Sequence, residues 1–277
     1  MDQQGIATGI LSLTAPGVSG WSGTARGDMA RRVNDHTADL VWRHLDRFGI
    51  FATLPMPDID GALQEIAHAF DGLKAAGGIM LSNYDGRYLG DPLFEPVWSE
   101  LNRRHAVVFI HPAKPALPVL DGIPGLIVDY PFDATRTAVQ MAVNGVMDRY
   151  PDLRVILSHA GGFQPFASHR FAKVAAVARP EMSVQGILDS LRQFYFDTAL
   201  SSSPAALPSL IAFAGTGRIL YGSDFPYAPP AISAGFTTKL DTYEGFFYSG
   251  TRRRQPAERT HPVRPLARNC SACATKP

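Results

Sequence analysis

Three positions in this sequence end an apolar run on a side chain that can bind a cation or move a proton. Ala106–Ile110 runs into His111-Pro112, Arg154–Ser158 runs into His159-Ala160-Gly161-Gly162, and Arg218–Tyr221 runs through Gly222-Ser223 into Asp224. A carboxylate next to an apolar strand is costly unless something cationic meets it. Two imidazoles and a carboxylate together are a donor set for a divalent first-row metal, zinc above all. Each residue alone has a plainer reading: a hydrogen-bonded structural histidine, or an aspartate that caps a helix or pairs with an arginine. Their shared register, each at the C-terminal end of a strand, favours a site.

The segments between them supply the scaffold. Apolar runs at Ile6–Leu13, Phe48–Leu54, Gly78–Leu81, Ala106–Ile110, Arg154–Leu157, Phe194–Phe196 and Arg218–Tyr221 read as strands. They are nearly continuous rather than alternating, the pattern of parallel strands covered on both faces. Helical spacing falls between them: Arg26–Leu45, a helix capped by Asp58 with Leu63, Ile66, Ala67 and Phe70 inward, Pro92–Arg104, Asp133–Tyr150, Phe163–Val177, Ser183–Gln193 and Pro204–Ala214. Repeated strand–helix units predict an α/β protein, either a doubly wound sheet or a (β/α)8 TIM barrel, whose strand C-termini gather the active site on one face. Seven strands are visible where such a barrel has eight, so the first strand is expected to be lacking.

Composition narrows the function. The chain has 277 residues, a net charge of +1 and 18% charged residues, which gives no bulk reason to expect nucleic-acid or membrane-surface binding. No apolar run approaches the roughly 20 residues of a membrane span, and Met1-Asp2-Gln3-Gln4 is no basic leader. Cys270 and Cys273 lie at the extreme end, so the core has no disulfide and a cytoplasmic location is expected. From Phe247 the periodicity stops; residues 247–277 hold seven lysines and arginines against one acid and read as a basic, disordered tail after a barrel domain at 1–246.

The motifs VFIHP, LSHAGG with PF three residues on, and ILYGSDFP, in this order, resemble the amidohydrolase superfamily, closest to its 2-amino-3-carboxymuconate-6-semialdehyde decarboxylase-like branch. MDQQGIATGILSL, FATLPMPDIDGALQEI and YLGDPLFEPVWSELNRR extend the resemblance over roughly residues 1–246. It implies a distorted (β/α)8 barrel with a divalent metal, usually zinc, and a carboxy-lyase acting on an unsaturated or aromatic acid, with hydrolysis as the alternative. It implies that His111 and Asp224 are metal ligands and that His159 is the catalytic histidine that helps to activate water. Arg170, in PFASHRF, matches an arginine that holds a substrate carboxylate and reaches in from a partner subunit, so a homodimer is implied as well. The family's first strand carries His-x-His, which this sequence has nowhere. The expectation is therefore a chain that lacks two ligands: an enzyme whose true start lies upstream, an inactive pseudoenzyme, or a binding subunit.

Overall fold

The structure is a computed structural model that describes residues 1–245. The predicted basic tail at 247–277 and its two cysteines lie outside the described residues. Seven parallel strands form one curled sheet in sequential order: β1 (Gly9–Leu11), β2 (Phe48–Thr53), β3 (Gly77–Leu81), β6 (Val107–His111), β7 (Arg154–Leu157), β8 (Tyr195–Asp197) and β9 (Ile219–Leu220). A small antiparallel hairpin, β4 (Asn83–Tyr84) with β5 (Arg87–Tyr88), follows β3. Among the described residues β1 and β9 are the two edges, so the sheet is an open part of a barrel.

The helices cover the outside: α1 (Thr24–Arg43), α2 (Ile59–Ala67), α3 (Glu95–Arg103), α4 (Gly125–Val143), α5 (Val146–Arg149), α6 (Gln164–Ala178), α7 (Val184–Arg192), α8 (Ala206–Ala214) and α9 (Pro230–Asp241). Asp58 caps α2 by accepting from the Gly61 amide at 3.1 Å, as its position before an apolar stripe predicts. The inward stripe is offset by one residue from expectation: Ala62, Glu65, Ile66 and Ala69 are buried at ordinary helical spacing, Leu63 and Phe70 are half-buried and Ala67 is exposed, with Glu65 turned inward to meet α1. Buried Glu65 is satisfied by Arg31 and Asn34, each at 2.7 Å, and Asn34 also pairs with the Thr53 backbone, so α1, α2 and β2 are locked together.

The core is centred on Phe94, Trp98, Leu101, Val108, Ile110, Met141 and Leu157, all buried. The Trp98 indole N–H reaches the Leu89 carbonyl at 2.9 Å, which satisfies its one polar atom in the interior. The predicted helix at Asp133–Tyr150 is corrected: α4 starts eight residues earlier, and a left-handed Gly145 separates it from α5. Pro131 lies inside α4, where it removes one backbone bond; the neighbouring turns hold because Asp133, Ala134, Thr137 and Ala138 are packed inward.

Candidate metal centre

His111 is the last residue of β6, the central strand, and is 8% exposed. Its Nδ1 lies 2.8 Å from the Pro112 carbonyl. A carbonyl only accepts, so Nδ1 carries the proton and Nε2 keeps its lone pair. His159 follows β7, and its Nδ1 faces the Ala199 carbonyl at 3.1 Å, which fixes the same tautomer. The two rings lie 5.8 Å apart at 69°. Asp224 follows β9. One donor atom from each of His111, His159 and Asp224 lies within 4.8 Å of the other two.

The backbone is strained at two of these positions. His159 has φ 52° and Asp224 has φ 56°, a left-handed conformation that side-chain-bearing residues adopt at a cost of about 1–2 kcal/mol each. Such strain persists where the surroundings enforce it. Asp197, at the end of β8, does so for His159: its Oδ1 accepts from the His159 amide at 2.7 Å and from the Ala199 amide at 3.0 Å. It thereby grips both the histidine and the residue whose carbonyl orients the imidazole. A side chain at 222 would meet the Asp197 carboxyl at 2.8 Å, so Gly222 is required by close approach. The Gly161-Gly162 pair also serves close approach: a Cβ at Gly162 would sit 2.0 Å from the Pro131 carbonyl, so the space it leaves holds α4 backbone.

The electrostatics suit a cation. Burial, with a smaller contribution from His159, pushes His111 down to about 4, so the imidazole is neutral and ready to ligate near neutral pH. Burial raises the carboxyls of Asp197 and Asp224, the second less sheltered than the first; His159 opposes both shifts. The neutral His111 imidazole, a second imidazole whose Nδ1 faces a carbonyl, and a carboxyl that burial disfavours as a free anion suit a divalent ion.

The other predicted residues fall elsewhere. Arg170 is exposed on α6 and makes no ion pair among the described residues. His36, His44 and His105 are exposed, His68 pairs with Asp35, and His169 is exposed beside Arg170 on α6. Sequence reasoning missed Tyr130, whose ring meets His111 edge-on at 6.2 Å, and the polar group around Asp133. The signal for Asp133 is a polar stripe, Asp133, Thr137, Gln140 and Asn144, at helical spacing on an otherwise apolar helix.

The amidohydrolase family profile matches residues 11–256. The chain belongs to the amidohydrolase family. Within it, this amidohydrolase falls in the decarboxylase branch. It is 40% identical over 267 residues to decarboxylase yanB of Aspergillus niger, covering 90% of this chain and 72% of that protein. It is 38% identical to the 6-methylsalicylic acid decarboxylase of Penicillium expansum, covering 87% of this chain and 77% of the other. Its fold overlays a crystal structure of a dihydroxybenzoic acid decarboxylase from Polaromonas with bound manganese and 2-nitroresorcinol, with a TM-score of 0.73, 26% identity, and coverage of 85% of this chain and 76% of that one. A divalent metal is thus the cofactor class of this branch. Among the described residues no helix is long and apolar enough to cross a membrane.

Proposed function

We propose that this amidohydrolase removes carbon dioxide from an aromatic carboxylic acid at the His111–His159–Asp224 centre, with zinc as its cation. The observation that carries the reading is the cluster of three donors, within 4.8 Å of one another, at the C-terminal ends of parallel strands in a chain of the decarboxylase branch. His111 and Asp224 would hold the ion. When bound, it supplies Lewis-acid polarisation of substrate oxygens.

His159 handles the proton. A proton is added to the ring carbon that bears the carboxylate, the carbon–carbon bond breaks, its electron pair returns to the ring, and carbon dioxide leaves. His159 is half-buried and held by Asp197 and Ala199, so its Nε2 has one direction in which to give or take that proton. Arg170 would bind a substrate carboxylate across a homodimer. Its exposure among Phe166, Val174 and Val177, which are 84%, 58% and 82% exposed along one side of α6, supports that role, since a guanidinium fork suits a carboxylate.

The test is carbon dioxide release from 6-methylsalicylate and from 2,6-dihydroxybenzoate by the zinc-loaded and manganese-loaded chain, with the metal content measured beside it. Turnover that is lost in His159→Ala with metal retained supports the reading. Full activity after chelation, or in His111→Ala, refutes it. For Arg170, Arg170→Ala should raise KM with little change in kcat, and a monomer in light scattering refutes the shared site.

A further inference from the structure

Ser82, the residue after β3, is fully buried and touches the His111 segment at both ends. Its amide donates to the His111 carbonyl at 2.9 Å, and its Oγ accepts from the Ala113 amide at 2.8 Å. The same hydroxyl donates to Asp133 Oδ2. Asn83 repeats the motif one residue on: its Nδ2 donates to Asp133 Oδ2 at 2.7 Å and lies 3.2 Å from the Lys114 carbonyl. Tyr88 closes the group by donating to Asp133 Oδ1 at 2.8 Å. Asp133 itself is fully buried, and its partners among the described residues are these three donors, with no cation bonded to it. Its carboxylate thus fixes the direction of the Ser82 hydroxyl: because the O–H must point at Asp133, the Oγ lone pair must face Ala113.

We infer that Ser82 and Asp133 are positioning residues that set the His111 imidazole, acting through the three-residue turn His111-Pro112-Ala113. The imidazole is itself hydrogen-bonded to that turn, at the Pro112 carbonyl. A shift of the turn therefore moves the acceptor that fixes the Nδ1–H tautomer and aims Nε2. The remaining polar residues of the α4 stripe do not share this role: Thr137 accepts from Leu89, and Gln140 and Asn144 hold Gly90, at the far end of the hairpin loop. They anchor the same loop without touching residues 111–114, and so provide the internal control.

This inference rests on the metal-site reading above, and the experiment separates the two. Cobalt(II) is titrated into the chain and followed by its visible absorption, for wild type, His111→Ala, Ser82→Ala, Asp133→Ala, Asp133→Asn and Thr137→Val. Ser82→Ala and Asp133→Ala are expected to weaken cobalt binding about 10–100-fold, the usual range for a partner that orients a ligand. Asp133→Asn keeps one oxygen for Ser82 and Asn83, while the Tyr88 phenol, which burial and Asp133 push up to about 12, stays protonated and turns to accept from the amide. It should recover most of the affinity, and Thr137→Val should bind as wild type does. Equal binding by Ser82→Ala and wild type, or equal loss in Thr137→Val, overturns the inference.

If wild type and His111→Ala bind cobalt alike, the metal reading fails, and nitrogen-15 imidazole spectra without metal still decide the clamp. His111 should be the pure Nδ1–H tautomer in wild type and a mixture in Ser82→Ala; an unchanged tautomer overturns it. Where Ser82→Ala does not fold, Ser82→Cys, a weaker donor and acceptor, should fall between wild type and Asp133→Ala in both readouts.

Discussion

The two sides of the candidate centre are built differently. His111 ends the central strand of the sheet, is buried, keeps ordinary strand backbone, and has its turn held by Ser82 and Asn83 against a buried carboxylate. Asp224 follows β9, an edge strand of two residues, is half-buried, and sits in a left-handed conformation. Its neighbourhood is held by two serine hydroxyls, Ser233 Oγ donating to the Ser223 carbonyl at 2.9 Å and Ser223 Oγ accepting from the Phe225 amide at 3.2 Å, and by the Ala228 amide to its own carbonyl at 2.8 Å. One donor is placed by the core of the protein and the other by a loop. Removing each should therefore have the same effect on the ion and different effects on the fold.

That difference gives the largest expected effect. His111→Ala and Asp224→Gly should each weaken metal binding by more than about 100-fold, since partners that merely orient ligands are already worth ~10–100-fold. Their melting temperatures should separate. His111→Ala opens a void beside Phe109, Tyr130 and His159 and lowers stability. Asp224→Gly relieves a left-handed residue and removes a carboxyl that burial disfavours, so the metal-free protein should be unchanged or more stable by ~1 kcal/mol. Calorimetry in chelator checks this, and a comparable loss in both variants would place Asp224 in the rigid core instead.

The donors on both sides were legible in sequence, and the reason is local. A central parallel strand must be apolar along its length, so a histidine that ends it stands out, and His111, His159 and Asp224 were all readable as strand-end residues. Asp58 announced its helix by accepting from an amide three residues on, a short-range interaction that sequence spacing specifies. What was not legible depends on contacts between distant segments. Ser82 and Asp133 are 51 residues apart, and neither carries a signal until the fold brings them together. The first turns of α4 were hidden by Pro131 and by flanking glycines and prolines, which read as loop. The β4–β5 hairpin has two residues per strand, too short for any period, and α9 follows a proline-rich loop that masks its start. The seven-strand α/β barrel plan, by contrast, follows from a repeated pattern and is present as expected.

The pH dependence sharpens the same contrast. His111 has a pKa of about 4 in the folded chain against an ordinary value of 6.5. Between these values the unfolded chain binds a proton that the folded one does not, so this group's contribution to stability falls as pH drops from 6.5 through 4. The full difference is on the order of 3 kcal/mol. Asp197 and Asp224 act in the opposite sense, because their raised carboxyls bind protons in the folded state above the ordinary value of 3.8. The stability difference between wild type and His111→Gln, measured by urea unfolding in chelator across this window, isolates the imidazole. Wild type should gain on the variant as pH rises, and a flat difference would mean that His111 is more hydrated than its burial indicates.

Asp197→Ala tests the intermediate case, a residue that lies between the centre and the edge at the end of β8. Its loss leaves the His159 and Ala199 amides without their acceptor, a cost of about 1–3 kcal/mol. Asp197→Asn keeps an oxygen for both amides and should retain most of the stability. If Asp197 only supports the backbone, its Asn variant should also keep turnover, since the His159 imidazole is aimed by the Ala199 carbonyl, which does not change. Loss of turnover in a stable Asp197→Asn would instead require the carboxylate's charge beside His159.

The smallest expected effect lies at the edge itself. Ser233→Ala removes the hydroxyl that holds the Ser223 carbonyl, one residue from Asp224, and a typical hydrogen bond of this kind is worth ~1 kcal/mol. In a chain of this size that shifts the melting temperature by only about 2–4 °C. Its effect on metal binding is the informative quantity. If the edge donor adapts to the ion, the loop can absorb the lost bond and affinity should change less than about threefold, against the tenfold or more expected for Ser82→Ala at the centre. Equal losses of affinity in Ser82→Ala and Ser233→Ala would show that both sides are held with the same rigidity, and that the short edge strand is no weaker an anchor than the centre of the sheet.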